Sequence, residues 1–174
     1  MKCPKCSGEI SEEANFCKYC GVELNWRTIP QATTQSPEEY VIETEVKNTI
    51  TSRIDAIKNR NATTIENLID NSYTKFDDWP PFTRQEVDEA LRNEFDALKV
   101  LSDYRYELKN LEISICDNVV VATFYIQYQG TIRDRHFDIA SRVTSVLRKQ
   151  GIEWKIVHEH FSRFSDESKR RFFP

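Results

Sequence analysis

The sequence is poor in glycine and has no apolar run long enough to cross a membrane. Only four glycines occur in 174 residues, and two of them, Gly130 and Gly151, separate stretches rich in β-branched and aromatic residues. Sparse glycine at such places marks turns that need a positive φ, which predicts hairpins in the second half of the chain. The longest uncharged stretch, residues 118–132, is shorter than the roughly 18 residues of a membrane helix. The N-terminus lacks the apolar segment of a signal peptide, so we expect a soluble, cytoplasmic protein.

The sequence also lacks an excess of positive charge. It contains 24 basic and 28 acidic side chains, giving a net charge of -4, whereas general nucleic-acid-binding proteins usually carry a basic excess. Hydrophobic residues make up 39% of the chain, which is too much for general disorder. The length fits one domain of ordinary size with a small appendage.

Four of the five cysteines form two closely spaced pairs, Cys3 with Cys6 and Cys17 with Cys20. A C-x-x-C turn points both thiolates to one side, so two such turns can close a tetrahedron around one Zn²⁺. Four protein ligands leave no open position, which predicts one structural zinc per chain. A disulfide pair and a redox dithiol are the alternatives. The lack of a signal peptide disfavours the first, and the lack of a βαβ context disfavours the second.

These cysteines, together with Gly21 after the last of them, resemble the minimal zinc-ribbon modules at the start of many archaeal and bacterial proteins. Such a short segment cannot bury a self-sufficient core, so it would depend on the metal to fold. The chain is thereby divided into a zinc ribbon (residues 1–24), an extended linker (25–36), a main domain (37–164) and a C-terminal tail (165–174). The tail is either a loose terminus or a docking peptide anchored by Phe172 and Phe173.

Helical spacing of apolar residues follows the linker. Ser36 is a good helix cap, and Glu39, three residues later, completes a capping box. The apolar spacing predicts a first helix to about Arg60, a short second helix capped by Asn61, and a third helix opened by the capping box of Thr83–Glu86.

The pattern changes to strands in the second half of the chain. Turn-forming pairs at residues 117–118, 129–130 and 150–151 separate segments rich in β-branched and aromatic residues. The strands are predicted at residues 104–116, 119–128, 131–148 and 152–161. Helices first and a meander of strands second predict an α+β fold, in which three helices lie on one face of a curved antiparallel sheet.

Strand alternation assigns the side chains to two faces. A two-residue turn at residues 150–151 places Leu147 opposite Trp154, Val143 opposite His158 and Arg142 opposite Glu159. One face is apolar and collects Val120, Ala122, Phe124, Ile126, Phe137, Ile139, Val143, Leu147, Trp154 and Ile156. The other face mixes polar side chains with Val119, Val121, Val157 and Phe161. Helices can cover one face and a second subunit the other, so we expect a homodimer.

The segments Arg142–Lys149 and Trp154–Ser162, the latter reading Trp-x-Ile-Val-His-x-His-x-Ser, resemble the C-terminal signature of SnoaL-like domains. The resemblance covers residues 37–164 and implies the cone-shaped fold of nuclear transport factor 2, ketosteroid isomerase and the association domain of calcium/calmodulin-dependent kinase. It further implies dimers formed through the outer sheet face and a pocket between the helices and the inner face. The kinase domain has an arginine after the second histidine of the last strand. Phe161 stands there in this chain, so an arginine clamp for anions is not implied.

The resemblance implies a ligand pocket without fixing a catalytic set. Catalytic members of the fold use a carboxylate base, with a tyrosine or a protonated aspartate beside the substrate oxygen. Similarity to the kinase domain favours the Arg142 face as the pocket wall, whereas apolar periodicity favours the opposite face. On the first choice the pocket residues are Tyr73, Tyr125, Arg142 and Glu159, with Asp77 and Asp78 as further carboxylates near the pocket mouth. His160, which the predicted register places on the apolar face, is a further pocket candidate. The alternative for Arg142 and Glu159 is a plain cross-strand ion pair.

Two classes of function follow. The first is a binding or assembly protein, whose main domain dimerises and holds a small polar ligand while the ribbon contacts a protein partner or nucleic acid. The alternative is a small isomerase, cyclase or dehydratase that uses a pocket carboxylate as base. A titrating carboxylate deep in the cone with a tyrosine beside it favours the enzyme, and a purely apolar cavity favours the binding protein.

Overall fold

The structure of the chain, a computed structural model, describes residues 2–3, 5–11, 16–22, 36–165, 167, 169 and 173. The chain forms two compact units, residues 1–36 and residues 37–174. Most of the predicted linker lies outside the described residues. Among the described helices, none has the length and apolar character needed to span a bilayer.

The larger unit begins with helices that bury one apolar stripe. The helices are α1 (Pro37–Lys58), α2 (Ala62–Leu68) and α3 (Val87–Val100). In α1, Val46, Ile50 and Ile54 are buried at helical spacing, as predicted. The Asn61 side chain caps α2 by accepting a hydrogen bond from the Thr64 backbone at 3.0 Å.

A six-stranded mixed sheet completes the unit. Its strands are β1 (Ile69–Phe76), β2 (Arg84–Glu86), β3 (Leu101–Cys116), β4 (Val119–Ile132), β5 (Arg135–Gln150) and β6 (Glu153–Arg163). The spatial order is β2-β1-β6-β5-β4-β3, and β1 runs parallel to β6 while the other neighbours are antiparallel. The predicted α+β fold and the four-stranded meander are confirmed. The prediction of a purely antiparallel sheet is wrong, because the segment before α3 forms two further strands and the first of them, β1, runs parallel to β6.

The third helix starts later than predicted. Arg84–Glu86 pair with β1 as strand β2, so the predicted capping box at Thr83 does not form. Tertiary pairing with β1 takes precedence over the local helix signal in this segment.

Gly130 does not lie in a turn. Strand β4 continues through it to Ile132, and the turn is made at residues 133–134, with Arg133 at a φ of 56°. A side chain at Gly130 would stand 2.9 Å from the Phe137 ring, so glycine is needed here for close packing. The hairpin is therefore displaced from its predicted position, and Ala122 lies opposite Ser145 instead of Phe137.

Strand β6 contains a bulge that changes which side chains face the helices. The last turn lies at residues 151–152, one residue later than predicted, and Leu147 pairs with Ile156 while Val146 pairs with His158. Val157 is therefore an extra residue without a partner on β5. Beyond it the alternation of β6 is shifted by one, so the side chains that a regular strand would turn away from the helices now face them. The predicted register of β5 and β6 is wrong. Arg142 lies opposite Ser162, and Glu159 lies opposite Ser145.

We call the sheet face that packs against the helices the cone face and the opposite one the outer face. The predicted apolar set lies on the cone face, where every member is buried except Phe137, which is partly buried. Apolar periodicity thus identified the face correctly. The bulge adds Glu159 and Phe161 to it, which a regular strand would have placed on the outer face.

The described tail residues contact the outer face of their own domain. The Phe173 ring is buried, and the Lys109 ammonium lies 4.8 Å from its centroid. Lys169 forms an ion pair with Asp138 at 2.6 Å. These contacts place Phe173 on the chain's own sheet, while Phe172 lies outside the described residues.

Candidate functional site

The first candidate site is formed by the paired cysteines. Their four sulfur atoms lie within 4.8 Å of one another, with 3.7 Å between Cys3 and Cys20 and 3.6 Å between Cys6 and Cys17. A disulfide needs about 2.05 Å, so all four are free thiols. Four sulfurs about 2.3 Å from a central zinc ion would be about 3.8 Å apart. The arrangement therefore fits a metal ion of this size.

The two cysteine turns share one backbone geometry. Cys3 donates its amide to the Gly8 carbonyl and Cys17 to the Val22 carbonyl, both at 2.9 Å. Within each turn a second amide points at the first sulfur, from Lys5 to Cys3 and from Tyr19 to Cys17, at 3.4 Å. Amide donors aimed at sulfur stabilise thiolates, which are the metal-binding form of cysteine.

The second candidate site is a cavity of about 250 Å³ between the helices and the cone face. Its apolar wall is formed by Ile50, Ile54, Ile57, Trp79, Pro80, Ala97, Leu98, Leu101, Tyr104, Phe124, Ile126, Tyr128, Ile132, Phe137 and Phe161. Its polar wall is formed by Arg53, Lys75, Asp77, Asp78, Gln85, Asn93, Glu94 and Glu159. An apolar body with a few convergent polar groups is typical of small-molecule sites.

An ion pair between α1 and α3 forms part of the polar wall. Arg53 donates to both oxygens of Glu94, at 2.5 and 2.7 Å, and lies 3.4 Å from Glu159 on β6. Only 3% of Arg53 is exposed. Burial would raise the pKa of Glu94, but the charges of Arg53 and Lys75 lower it, so this carboxylate stays ionised.

Lys75 and Tyr73 extend this network along β1. Burial would lower the pKa of Lys75, but Asp77, at 2.8 Å, and Glu94, at 3.9 Å, raise it, so the ammonium stays charged. The Tyr73 hydroxyl donates to Oε2 of Glu159 at 2.6 Å. Burial, followed by the charge of Glu159, raises the pKa of Tyr73 well above its usual range, so the hydroxyl remains a donor.

Asp78 forms a second polar group in the wall. The Tyr128 hydroxyl donates to its Oδ1 at 2.6 Å, the Ser141 hydroxyl donates to its Oδ2, and the Trp79 indole donates to the Tyr128 oxygen at 3.0 Å. Burial raises the pKa of Asp78, despite these two donors. Burial and the nearby Asp78 charge also raise the pKa of Tyr128. A buried carboxyl of raised pKa beside a tyrosine is a recurrent acid–base arrangement.

The structure separates the predicted pocket residues into two groups. Tyr73 and Glu159 meet at the cavity wall, whereas Arg142, Tyr125 and His160 lie on the outer face. Arg142 is exposed and donates to Ser162 at 3.1 Å. The rings of Tyr125 and His160 contact Phe164 and Phe76, with centroids 5.6 and 5.4 Å apart. The predicted Arg142–Glu159 pair is therefore wrong, because the late turn and the bulge displace one strand against the other.

Sequence reasoning missed Arg53, Lys75 and Glu94. A signal for two of them was present, since Arg53 interrupts the apolar stripe of Ile50, Ile54 and Ile57 in α1, and Glu94 interrupts that of Leu91, Phe95 and Leu98 in α3. Charged residues on buried helix stripes usually pair with each other. No comparable signal marked Lys75, because β1 itself was not predicted.

A protein-family model described as a SnoaL-like domain matches residues 46–166, more than half of the chain. The chain belongs to the SnoaL-like domain family. The match includes most of α1, all of α2 and α3 and all six strands, and with them the whole cavity wall. No curated protein sequence matches the chain significantly.

Several solved structures share the fold of this SnoaL-like domain. A nuclear transport factor 2-like protein from Salmonella enterica has a TM-score of 0.65 at 18% identity, covering 73% of this chain and 94% of that one. A candidate dehydratase of the same family from Streptomyces avermitilis has a TM-score of 0.65 at 15% identity, covering 75% and 99%. A candidate calcium/calmodulin-dependent kinase II association domain from Exiguobacterium sibiricum has a TM-score of 0.61 at 7% identity. The alignment covers 71% of this chain and 94% of that one. At these identities the likeness shows the fold alone.

Removing the charge of a buried aspartate should have a different effect on the stability of the SnoaL-like domain at Asp78 than at Asp70. The folded pKa of Asp78 is raised, so its stabilising contribution is full below the unfolded pKa of about 3.9 and is lost as pH rises through the folded value. The Ser72 amide and Arg148 lower the pKa of Asp70 to about 2, so its contribution is present above about pH 3.9 and is lost as pH falls through 2.

We therefore expect Asp78→Asn at pH 7 to leave the free energy of unfolding within about 0.5 kcal/mol of wild type or to increase it. Asp70→Asn should reduce it by about 1–3 kcal/mol at pH 7, with the difference vanishing between pH 4 and 2. Urea unfolding across this pH range measures both. A loss of several kcal/mol in Asp78→Asn at pH 7 would show that Asp78 is stabilised as the anion.

Proposed function

We propose that the SnoaL-like domain binds a small, largely apolar molecule in the cone cavity and that Asp78 exchanges a proton with it. The observation that carries this proposal is the buried Asp78 carboxyl, of raised pKa, with the Tyr128 hydroxyl 2.6 Å away in the cavity wall. An engineered apolar cavity of about 150 Å³ holds benzene. A cavity of about 250 Å³ therefore suits a molecule of one or two rings.

The chemistry available to Asp78 is general acid–base catalysis. As a carboxylate it can remove a proton from carbon next to a substrate carbonyl, and as an acid it can return the proton elsewhere. On turning away from Asp78, the Tyr128 hydroxyl, whose pKa is raised, can donate its one hydrogen bond to oxygen that gains negative charge. Isomerisation and dehydration both use these steps, and solved neighbours include a candidate dehydratase and a candidate ketosteroid isomerase.

A binding or assembly role without chemistry is the second candidate. It is supported by Asp78 itself, since both of its oxygens already accept hydrogen bonds from Tyr128 and Ser141. A substrate would have to share or displace one of these donors. On this alternative the cavity holds a ligand that stabilises the domain, and Asp78 is a structural acceptor.

The two candidates separate in an exchange experiment with 2-tetralone, a bicyclic ketone matched to the cavity. In D₂O, the wild-type protein should accelerate exchange of the hydrogens next to the carbonyl, followed by proton NMR. Asp78→Asn should slow the catalysed rate at least 100-fold while binding is retained. Asp138→Asn on the outer face is the matched control and should keep the wild-type rate. Binding without exchange would favour the second candidate, and no binding would contradict both.

We further propose that the cysteine cluster binds one structural zinc ion and that the ribbon contacts a protein partner. Four thiolates at these separations suit zinc, and the exposed rings of Phe16 and Tyr19 offer a surface for protein contact. Zinc would hold the two cysteine turns together and supply folding free energy that so short a segment lacks.

Metal analysis of the purified protein should find about one zinc per chain, without iron. Cys17→Ser should lose it and make the ribbon sensitive to protease, because three thiolates leave the tetrahedron open. Cys116→Ser, in strand β3, is the control and should keep the metal. A protease-resistant ribbon in metal-free wild-type protein contradicts the zinc proposal.

We also propose that the domain forms a homodimer through its outer face. Val121 and Val146 are cross-strand neighbours there and stay partly exposed in the single chain. A second copy would remove this apolar surface from water.

Sedimentation at micromolar concentration should give the mass of two chains. Val146→Asp should yield monomers, because a charge would be buried in the interface, whereas Ile152→Asp, at an exposed turn, should not. A wild-type monomer at high concentration would reject the dimer.

A further inference from the structure

Glu159 presents an uncommitted oxygen to the cavity. Its Oε2 accepts from Tyr73 and lies near Arg53, whereas its Oε1 has no hydrogen-bond partner among the described residues. Only 3% of Glu159 is exposed, and the side chain lines the cavity. A carboxylate oxygen left unpaired in a buried site carries a desolvation cost that a ligand donor could remove.

The other charged groups of the network are already paired, although Nε of Arg53 is a buried donor without a hydrogen-bond partner among the described residues. Both oxygens of Glu94 accept from Arg53, so an incoming acid would have to displace a two-pronged ion pair. Lys75 is held between Asp77 and Glu94. Both cations of this described network therefore already face carboxylates, and the Arg53 guanidinium keeps Nε as its one unpaired donor nitrogen.

The charge balance of the wall points the same way. Two basic side chains, Arg53 and Lys75, face three acidic ones, Asp77, Glu94 and Glu159. The network therefore carries an excess of one negative charge, even if Asp78 is counted as neutral. An added anion would deepen this imbalance in a site of low dielectric, and an added cation would cancel it.

We infer that the cavity takes a small amine, whose apolar body fills the ring-lined space and whose ammonium group donates to Oε1 of Glu159. The inference rests on the proposed binding function and names the class of ligand for that site. An ammonium has donors but no acceptor, so it matches an oxygen that lacks a donor.

A matched series of bicyclic probes tests the ligand charge at constant shape. The probes are 1-naphthylmethylamine, 1-naphthylmethanol and 1-naphthoic acid, which at pH 7 are cationic, neutral and anionic. Isothermal titration of the full-length wild-type chain should show the amine binding at least tenfold more tightly than the alcohol, with the acid weakest. The series needs no variant, so it does not depend on the folding of a mutant.

Glu159→Gln then assigns the preference to one side chain. The variant should bind the amine no more tightly than the alcohol, while alcohol binding stays within about threefold of wild type, because glutamine keeps the shape and loses the charge. His160→Gln, the next residue on β6 but on the outer face, is the matched control and should keep the full preference.

The outcomes separate the inference from the function on which it rests. Equal binding of amine and alcohol by the wild type, or tightest binding of the acid, overturns the inference and leaves the binding function standing. An amine preference that survives in Glu159→Gln also overturns it. No binding by any of the three probes contradicts the proposed binding function and, with it, the inference.

Discussion

The buried ion pair between Arg53 and Glu94 is the constraint on which the cavity depends. It joins α1 to α3 inside the domain, and its partner Glu159 brings in strand β6. Removing one partner of a buried pair typically costs about 3–5 kcal/mol, because the other charge is left unpaired. The helices therefore cannot slide over the sheet independently, and the space between them keeps its shape.

This network also divides the cavity into two chemical regions. Arg53 and Lys75 stay charged because each of them lies beside carboxylates. The donors to the Asp78 carboxyl are the neutral hydroxyls of Tyr128 and Ser141, and burial raises its pKa. The wall thus contains one carboxylate that stays ionised, Glu94, and one whose charge can change, Asp78, which suits a site that both positions a molecule and exchanges a proton with it.

Much of the fold could be predicted from the sequence, because its signals are local. The apolar stripes gave α1, the turn at residues 117–118 gave the first hairpin, and period-two alternation gave the cone face from Val120 to Ile126. Strands β1 and β2 could not be predicted, since their polar residues pair only in the tertiary structure. The site was predicted in part: Tyr73 and Glu159 lie together, but Arg142 does not. The predicted pairing of β4 with β5 was wrong because it assumed a turn at Gly130. This glycine instead lies within β4, where it allows close packing against Phe137.

The extra residue at Val157 has a consequence for how such a domain can change over time. Because side chains alternate along a strand, one inserted residue exchanges every position beyond it. Without it, the strand would direct His158 and His160 inwards and Glu159 and Phe161 outwards, so an acidic, ring-lined wall would become an imidazole-lined one. A single codon gained or lost on this strand would thus act as several coordinated substitutions, and relatives that differ only there could hold chemically unrelated molecules in the same scaffold.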